Sequence, residues 1–369
     1  MTKSLENKNQ DFNKILKKAL DGSELSVSEG ERLLKCSNSE LKALVETADN
    51  LRREKVGDIV TYVVNRNINF TNVCETNCKF CAFHSSPNDS KAYLLSTEEI
   101  KSKVSEALDR GATEICLQGG LHPSLELRDY VSFLEAIRSV SNEIHVHAYS
   151  PAEINHVAQA EDMRVREVII RLKEAGLDSI PGTAAEILVN RVRNIICPRK
   201  ISAEDWERII RTSHQLGVPT TATIMYGHVE NPWEVSFHLS KLRSIQKETQ
   251  GFTELVPLAF ASGNTELEKM GKAPKLTPKD HLRIHSVARL MLNGFIDNIQ
   301  SSWVKLGPKL AQRVLNAGAN DLSGTLIEEN ITRAAGGQMQ EMAPKELKEL
   351  INEVDRTPRE RTTTYKLIK

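Results

Sequence analysis

The sequence predicts an α/β fold, a closed (β/α)8 barrel in which eight parallel strands are surrounded by helices. Short runs with β-branched residues alternate with helical stretches, and this alternation is typical of a parallel sheet. Eight strand-plus-helix units can be counted, which is the number that closes a barrel. Polar residues gather where the predicted strands end, as expected where an active site lies at that face. An open, doubly wound sheet is the alternative arrangement.

Helical segments are predicted at both ends of the chain. Residues 1–55 are expected to form a helical extension, because apolar residues in the segment 39–52 recur near a 3.6-residue period. The barrel is expected to span residues 56–340. Residues 341–369 are then predicted to be one charged helix followed by a tail.

The predicted strands follow one another along the barrel. The first predicted strand covers residues 59–64 and 68–73, and it leads directly into a loop that contains three cysteines. The other seven are short runs with β-branched residues, which favour strands. They lie at residues 113–118, 144–148, 177–180, 220–225, 253–258, 298–302 and, more weakly, 320–322.

The charge balance argues against a nucleic-acid or membrane-surface partner. Lysine plus arginine and aspartate plus glutamate both number 49, so the formal net charge is zero. No apolar run approaches the ~20 residues that span a bilayer, and the first residues do not resemble a secretory signal. Six cysteines in 369 residues are too sparse for a disulfide framework, which favours a reducing cytoplasm.

The most informative motif is a cysteine triplet. Cys74, Cys78 and Cys81 are spaced C-x3-C-x2-C on the loop after the first strand. Three thiolates can hold three irons of a 4Fe–4S cluster and leave the fourth iron open to a ligand that is not protein. Because His84 lies three residues beyond the last cysteine, a Cys3His zinc site is the alternative.

This spacing, with Phe80 directly before the third cysteine, resembles the signature of the radical S-adenosylmethionine (SAM) superfamily. The resemblance implies that the open iron binds the amino and carboxylate groups of SAM. It also implies that an external donor supplies one electron, which splits SAM and releases a 5′-deoxyadenosyl radical. Phe80 is therefore expected beside the cofactor.

Two further segments are candidates for cofactor binding. Gln118, Gly119 and Gly120 end the predicted second strand, where two glycines let a ligand approach the backbone closely. They resemble the GGE-type motif of radical SAM barrels, although a plain glycine turn is the alternative. Glu186 and Arg193 are suitable partners for the ammonium and carboxylate groups of SAM or of an amino-acid substrate; a surface salt-bridge helix is the other interpretation.

The remaining candidates are polar side chains near the ends of later strands, where they are expected to contact substrate. Alternation places His145, His147 and Tyr149 on one face of the predicted third strand, pointing into the barrel. A core histidine bonded to a neighbouring strand is the alternative. The other candidate substrate or catalytic residues are Thr183, Thr223, Tyr226, His228, Gln300 and Ser302.

Six longer segments together resemble the CofH family of deazaflavin (Fo) synthase subunits. The resemblance runs from about Ile59 to Gly336, most of the chain. Radical SAM enzymes of the futalosine route to menaquinone and the tyrosine lyase of thiamine synthesis share the cysteine loop and barrel, so they are the competing families. The six segments are residues 69–83, 118–123, 176–188, 221–230, 298–305 and 318–331.

The resemblance to CofH implies a reaction. The 5′-deoxyadenosyl radical takes a hydrogen atom from L-tyrosine, and the Cα–Cβ bond breaks. The 4-hydroxybenzyl fragment then joins 5-amino-6-(D-ribitylamino)uracil, and a second subunit, CofG, closes the deazaflavin ring. The alternatives are a menaquinone-route cyclase of the cyclic dehypoxanthine futalosine synthase type and a non-catalytic Cys3His zinc module.

Overall fold

Parallel strands form the centre of the molecule. The computed structural model describes residues 2–368, and the side chains of residues 10–368. The strands are β1 (Ile59–Val63), β2 (Asn65–Asn69), β3 (Glu114–Gln118), β4 (His145–Ala148), β5 (Thr220–Tyr226), β6 (Phe252–Ala259), β7 (Asp321–Gly324) and β8 (Thr357–Glu360).

Helices surround these strands and precede them. The helices of the N-terminal segment are α1 (Thr2–Leu20), α2 (Val27–Leu34) and α3 (Leu41–Val56). Those that follow are α4 (Thr97–Asp109), α5 (Leu127–Val140), α6 (Pro151–Ala160), α7 (Val165–Glu174), α8 (Asn190–Ile196), α9 (Ala203–Gln215), α10 (Pro232–Thr249), α11 (Glu266–Lys269), α12 (Pro278–Leu292), α13 (Trp303–Leu306), α14 (Pro308–Leu315), α15 (Ile331–Ala334) and α16 (Pro344–Asn352).

The strands close into a barrel. Strand β2 pairs with β3 and β3 with β4, β5 pairs with β6, and β1 pairs with both β7 and β8, all in parallel. Two short stretches, residues 179–180 and 299–300, join these groups through single parallel bridges. A bridge between Arg66 and Ile327 completes the ring beside β2. If β1 and β2 are counted as one bent strand, eight parallel strands close the ring. The predicted (β/α)8 barrel is therefore confirmed, and the alternative of an open sheet is wrong.

Alternation along each strand separates the barrel interior from the apolar core under the helices. On β3, Ile115 and Leu117 are fully buried in that core. Their neighbours Glu114, Cys116 and Gln118 line a central cavity instead. Successive side chains of a strand point to opposite faces, so the polar residues of this strand are directed inward.

The predicted N-terminal helical extension is confirmed. The amphipathic segment 39–52 belongs to α3, which buries Leu44, Ala48 and Leu51. Helix α3 packs against α12, and α2 packs against α10, so the extension covers the outside of the barrel. The division into domains at residues 55 and 340 remains a prediction.

The C-terminal tail contributes a strand that its sequence pattern does not predict. Helix α16 forms where a charged helix was expected. The next residues form β8, in which Thr357 pairs with Ile59 and Glu360 with Tyr62. Since the segment Thr-Pro-Arg-Glu is polar and lacks β-branched repetition, only its partner β1 makes it a strand.

Across residues 2–368, no helix combines the length and the apolar character that crossing a membrane requires. The helices carry strong local signals of their own. Helix α4, for example, begins at a capping box in which Ser96 and Glu99 bond to each other's backbone N–H groups. These helices bury one face on the barrel, and the barrel in turn fixes the walls of the cavity.

Candidate active site

A cavity of about 410 Å³ occupies the barrel interior. It extends from the cysteine loop, at the carboxyl ends of the strands, to the amino ends of β3 and β6, where Glu114 and Glu254 line it. Strands β1 to β7, the stretch 299–300 and residues just after the stretch 179–180 contribute side chains to its wall. Because the carboxyl face of such barrels carries the chemistry, the cysteine end is the candidate reaction site.

The three cysteines of the motif lie together at that end. Cys74, Cys78 and Cys81 have free thiols and all line the cavity. The hydroxyl of Thr76 lies 3.1 Å from Cys74 Sγ and 3.4 Å from Cys78 Sγ, so it bridges two of the thiols. Asn77 has a left-handed φ of 46°, which turns the loop between the first two cysteines.

The thiols differ in their electrostatic surroundings. Burial raises the pKa of Cys78 to about 12. Burial also pushes the pKa of Cys81 upward, but hydrogen bonds from His84 and Phe83 outweigh it, and the net shift is downward. Since thiolates are the metal-binding form, loading iron has to release the proton of Cys78.

The donor set fits a 4Fe–4S cluster with one open iron. The three cysteines and His84 all line the cavity, and Nδ1 of His84 is engaged with the carbonyl oxygen of Cys81 at 2.8 Å. Within residues 2–368, no three histidine, cysteine, aspartate or glutamate side chains converge on a single-ion site. Three thiolates on one loop match the ligand requirement of a cluster whose fourth iron takes another molecule.

The two glycines after β3 lie directly against the cysteine loop. A Cβ at Gly120 would fall 2.1 Å from the carbonyl oxygen of Val73 and 2.9 Å from Cβ of Cys74. A Cβ at Gly119 would fall 2.5 Å from the ring of Phe70. Neither position has room for a side chain, so glycine is what permits the close contact between strand end and loop.

Glu153 is a cavity residue that the sequence motifs did not single out. Its carboxylate accepts hydrogen bonds from the Gly119 N–H at 3.0 Å and from the Ser150 N–H and hydroxyl at 2.7 and 2.6 Å. Burial raises its pKa to about 7. The S-x-x-E capping box at the start of α6 is the only sequence signal for this placement.

A buried ion pair stands beside Cys78. Nζ of Lys200 lies 2.7 Å from Oε1 of Glu186 and 5.4 Å from the centroid of the Phe80 ring. Burial opposes the charged form of Lys200, but Glu186 and the nearby thiols outweigh it and raise the lysine pKa. The candidates Glu186 and Phe80 therefore line the cavity as expected, with a lysine that no motif marked.

Arg193 does not reach the cavity, so the prediction that it faces a cofactor is wrong. Its guanidinium is buried and donates to the carbonyl oxygens of Ala184, Ala185 and Ile201. Arg193 thus stabilises the loop that carries Glu186. The cation that faces the cavity is Lys200, whose surrounding sequence has no distinguishing pattern.

Five of the predicted substrate residues line the cavity wall. His147 bonds through Nδ1 to the Ser179 hydroxyl at 2.7 Å, and burial lowers its pKa to about 4, so it is neutral at pH 7. Thr183 donates to Oε1 of Gln118 at 3.1 Å. The five are His147, Thr183, Thr223, Gln300 and Ser302.

Tyr149 is turned away from the cavity, which contradicts the prediction from alternation. Its φ of 60° is left-handed, so the period-two pattern of β4 ends before it. The hydroxyl donates to the carbonyl oxygen of Tyr130 at 2.6 Å, and the ring packs against Tyr130 and Phe70. His145, at the amino end of β4, bonds to Ser179 at 2.7 Å and lies outside the cavity lining.

Tyr226 and His228 also lie outside the cavity lining. Met225 faces inward on β5, so its neighbour Tyr226 points outward and bonds to Nδ1 of His281 at 2.8 Å. His228 bonds through Nε2 to the carbonyl oxygen of Met225 at 3.0 Å and pairs with Glu230. Both side chains stabilise the outer face of β5 and the loop after it.

The opposite end of the cavity is a floor of buried charges and hydroxyls. Arg361 donates through Nε to Asp321 at 2.6 Å, and Thr363 donates to Glu114 at 2.7 Å. Tyr365 donates to Glu254 at 2.5 Å, and burial raises the pKa of Glu254 to about 7. The floor thus joins the amino ends of strands to the C-terminal tail, a contact that the polar tail sequence does not predict.

Strand β2 presents a row of asparagines that the motifs also missed. Asn65, Asn67 and Asn69 occupy alternate positions and line the cavity from the floor upward. Their sequence signal is the alternation Asn-Arg-Asn-Ile-Asn itself, since every second residue of a strand shares one face. The row ends at the cysteine loop.

Comparison with known proteins agrees with this site. Residues 68–242 match the radical SAM superfamily, and residues 249–369 match the CofH/MqnC C-terminal region. In solved structures, methylornithine synthase (PylB) is similar over 93% of this chain and 97% of its own, with a TM-score of 0.72. The sequence identity is 20%, so this likeness concerns the fold alone.

Sequence relatives are more similar. The 5-amino-6-(D-ribitylamino)uracil–L-tyrosine 4-hydroxyphenyl transferase of Archaeoglobus fulgidus is 52% identical over 323 residues, which cover 87% of this chain and 92% of that one. The FO synthase of Mycobacterium leprae is 48% identical over 331 residues, 89% of this chain and 38% of that protein. On this evidence the chain belongs to the CofH family of the radical SAM superfamily, the family of the 5-amino-6-(D-ribitylamino)uracil–L-tyrosine 4-hydroxyphenyl transferases.

Proposed function

We propose that this chain is a radical SAM transferase that cleaves the Cα–Cβ bond of L-tyrosine. It joins the 4-hydroxybenzyl group to 5-amino-6-(D-ribitylamino)uracil, the reaction of deazaflavin (Fo) biosynthesis. One observation carries the proposal: three thiols open into the same cavity whose other walls include polar amides, hydroxyls and carboxylates. The family assignment supplies the identity of the substrates.

The residues at the cysteine end have the chemistry to hold both cofactors. Cys74, Cys78 and Cys81 would bind three irons of a 4Fe–4S cluster. The Glu186–Lys200 pair offers opposite charges to the ammonium and carboxylate groups of SAM. When bound, the cluster and SAM supply a radical that abstracts a hydrogen atom from the substrate.

The chain's own contribution is position and exclusion of water. A reactive radical attacks C–H bonds within reach, so both substrates have to be fixed at contact distance. The inward side chains of β4, β5 and the stretch 299–302 offer hydrogen bonds for this purpose, and neutral His147 can donate or accept one. The protein thereby directs chemistry that the cofactors carry out.

The proposed reaction also depends on an electron donor and a second protein outside this chain. We infer that an external one-electron donor reduces the cluster and that the chain acts in a reducing cytoplasm, because its six cysteines are free. We further infer a CofG-type second subunit. The matched segment of the Mycobacterium leprae FO synthase is the smaller part of that protein, which leaves room there for a second activity.

An anaerobic assay tests the function. The protein is reconstituted with iron and sulfide, then supplied with dithionite, SAM, L-tyrosine and 5-amino-6-(D-ribitylamino)uracil, and products are followed by mass spectrometry. We expect 5′-deoxyadenosine and the 4-hydroxybenzyl–uracil adduct together, and only when tyrosine is present.

The competing functions give different products. If 5′-deoxyadenosine forms without any adduct, the radical SAM chemistry holds but the substrate belongs to the menaquinone-route relatives. A colourless protein that carries zinc and no iron or labile sulfide would instead support the Cys3His zinc module.

A further inference from the structure

Four asparagines line the cavity from β2 to the cysteine loop, namely Asn65, Asn67, Asn69 and Asn72, and they divide into two kinds of amide. At the floor, Asn65 donates to Oε1 of Glu114 at 2.9 Å and accepts from the Leu326 N–H at 2.9 Å. At the cysteine loop, Asn72 donates to Ser85 Oγ and to the Lys91 carbonyl oxygen at 3.0 and 2.9 Å. Both outer amides are therefore occupied by structural hydrogen bonds.

The two asparagines between them are not. Among the described residues, the side-chain amide of Asn67 has no hydrogen-bond partner, although the residue lines the cavity. Asn69 is 92% buried and also lines the cavity, and its Oδ1 is without a partner in residues 2–368. Its Nδ2 makes one long bond, 3.4 Å, to the carbonyl oxygen of Gln118. Buried polar atoms are normally paired, so the buried Oδ1 of Asn69 points to a ligand, and the half-buried amide of Asn67 lies next to it on the same face of β2.

The chemistry of a primary amide narrows the choice of ligand. It presents one acceptor beside two donors and carries no charge. A uracil ring has an edge with an N–H group between two carbonyl oxygens, which complements such an amide. The charged groups of an amino acid instead suit the Glu186–Lys200 pair. Of the two proposed substrates, the uracil is the one that presents donors and acceptors side by side on one edge, which suits the asparagine row.

We propose that Asn67 and Asn69 bind the uracil edge of the acceptor substrate and so determine its position; this inference rests on the proposed function. The ribityl substituent, on the opposite side of the ring, then extends into the cavity, whose floor carries Glu114 and Glu254. Residues two apart on a strand are about 6.6 Å apart, so Asn69 and Asn65 are separated by about 13 Å. Over that distance the neutral ribityl hydroxyls meet Glu114 and Glu254, both acceptors that line the cavity.

Equilibrium binding tests this assignment without relying on turnover. Anaerobic calorimetric titrations measure the Kd of 5-amino-6-(D-ribitylamino)uracil and of L-tyrosine for the reconstituted protein. In Asn67→Ala the loss of one or two hydrogen bonds is expected to weaken acceptor binding about 10- to 100-fold. Tyrosine binding and the Tm should stay at wild-type values. Asn142→Ala, which changes an exposed asparagine, is the matched control.

A second variant guards against a folding defect. Asn67→Asp keeps the shape of the side chain and an acceptor for the uracil N–H but removes the donors to the uracil carbonyl oxygens, so it should also weaken acceptor binding. If both variants bind the acceptor as tightly as the wild type, and the wild type forms the adduct, the assignment of Asn67 is overturned. If the wild type neither binds the acceptor nor forms the adduct, the proposed function itself fails.

The direction of the ribityl chain has its own test. With 5,6-diaminouracil, which lacks that chain, Asn67→Ala should weaken binding by the same factor as with the complete acceptor. Glu114→Gln should weaken only the complete acceptor. A reversed pattern, in which Asn67→Ala affects only the ribityl compound, would overturn the orientation.

Discussion

The two ends of the cavity differ in how far their polar groups are buried and bonded to one another. At the cysteine end, thiols and backbone N–H groups lie on loops, and Cys74 and Cys81 are partly exposed. At the floor, charged groups of β6, β7 and the tail are almost completely buried and bond to one another, as Arg361 does with Asp321. The cysteine end has free thiols, whereas the polar groups of the floor already have partners within the protein besides any that a ligand would add.

The cysteine end of the cavity is therefore the reactive end, and the floor is the rigid end. In (β/α)8 barrels the carboxyl face supports chemistry and the amino face supports stability. Here the amino face does both, because Glu114 and Arg361 line the cavity as well as closing the barrel. The structure therefore predicts that mutations at the two ends fail in different ways.

Replacing Cys78 should have the largest effect. With two thiolates left on the loop, we expect Cys78→Ala to lose the cluster and all formation of 5′-deoxyadenosine. Iron and sulfide content after anaerobic reconstitution measures the loss. Cys36→Ala removes a buried thiol outside the cavity and should load iron normally. Wild-type SAM cleavage by Cys78→Ala would contradict the site.

Arg361→Met should act on folding instead. It leaves the buried carboxylate of Asp321 without its cation, which is expected to lower the free energy of unfolding by about 3–5 kcal/mol. Urea unfolding measures this change. Arg359→Met, two residues earlier, alters an exposed side chain and should have little effect. Equal unfolding midpoints for the two variants would remove the distinction between floor and surface.

Gly120→Ala probes the contact that supports the cysteine loop. Its Cβ would meet the carbonyl oxygen of Val73, so the loop has to move, at a cost of about 1–3 kcal/mol. We expect less iron bound per chain, measured after reconstitution. Gly111→Ala is the control: φ is 77° there and no atom lies within 4 Å, so stability should fall while iron content stays unchanged. Normal iron loading in Gly120→Ala would show that the loop tolerates the displacement.

The last effect is a pH dependence of the floor, which is confined to a narrow pH range. Burial raises the pKa of Glu254 from its ordinary 4.5 to about 7, so the folded state holds a proton that the unfolded state releases. The stability contributed by this carboxyl is complete below about pH 4.5 and is lost as the pH rises to about 7. In Glu254→Gln this part of the slope should vanish, whereas exposed Glu349→Gln should retain it. Unfolding midpoints across this pH range measure the slope, and an unchanged slope in Glu254→Gln would contradict the shift.

More of the cysteine end than of the floor could be predicted from the sequence. Local spacing is enough to identify Cys74, Cys78 and Cys81, and strand alternation correctly directs His147 and Thr223 inward. Alternation failed at Tyr149 because a left-handed backbone angle interrupts the strand, and such an angle has no signature in a tyrosine.

The floor could not be predicted because its partners are distant in sequence. Thr363 bonds to Glu114 across 249 residues, and Tyr365 bonds to Glu254 across 111. Each of these residues taken alone reads as an ordinary solvent-exposed polar side chain. Only the closure of the barrel makes them neighbours. The asparagines of β2 are an intermediate case, because the sequence shows their alternation but does not indicate the uracil that we propose they bind.

The pairing of β1 with β8 sets an order of events during synthesis. The two strands are separated by about 300 residues, so at 5–20 residues per second a ribosome needs about 15–60 s to deliver β8 after β1. Until β8 has been synthesised, the floor of the cavity is open to water and Asp321 lacks its partner Arg361. The floor of the cavity therefore closes only after the cysteine loop and strands β1 to β7 have all been synthesised.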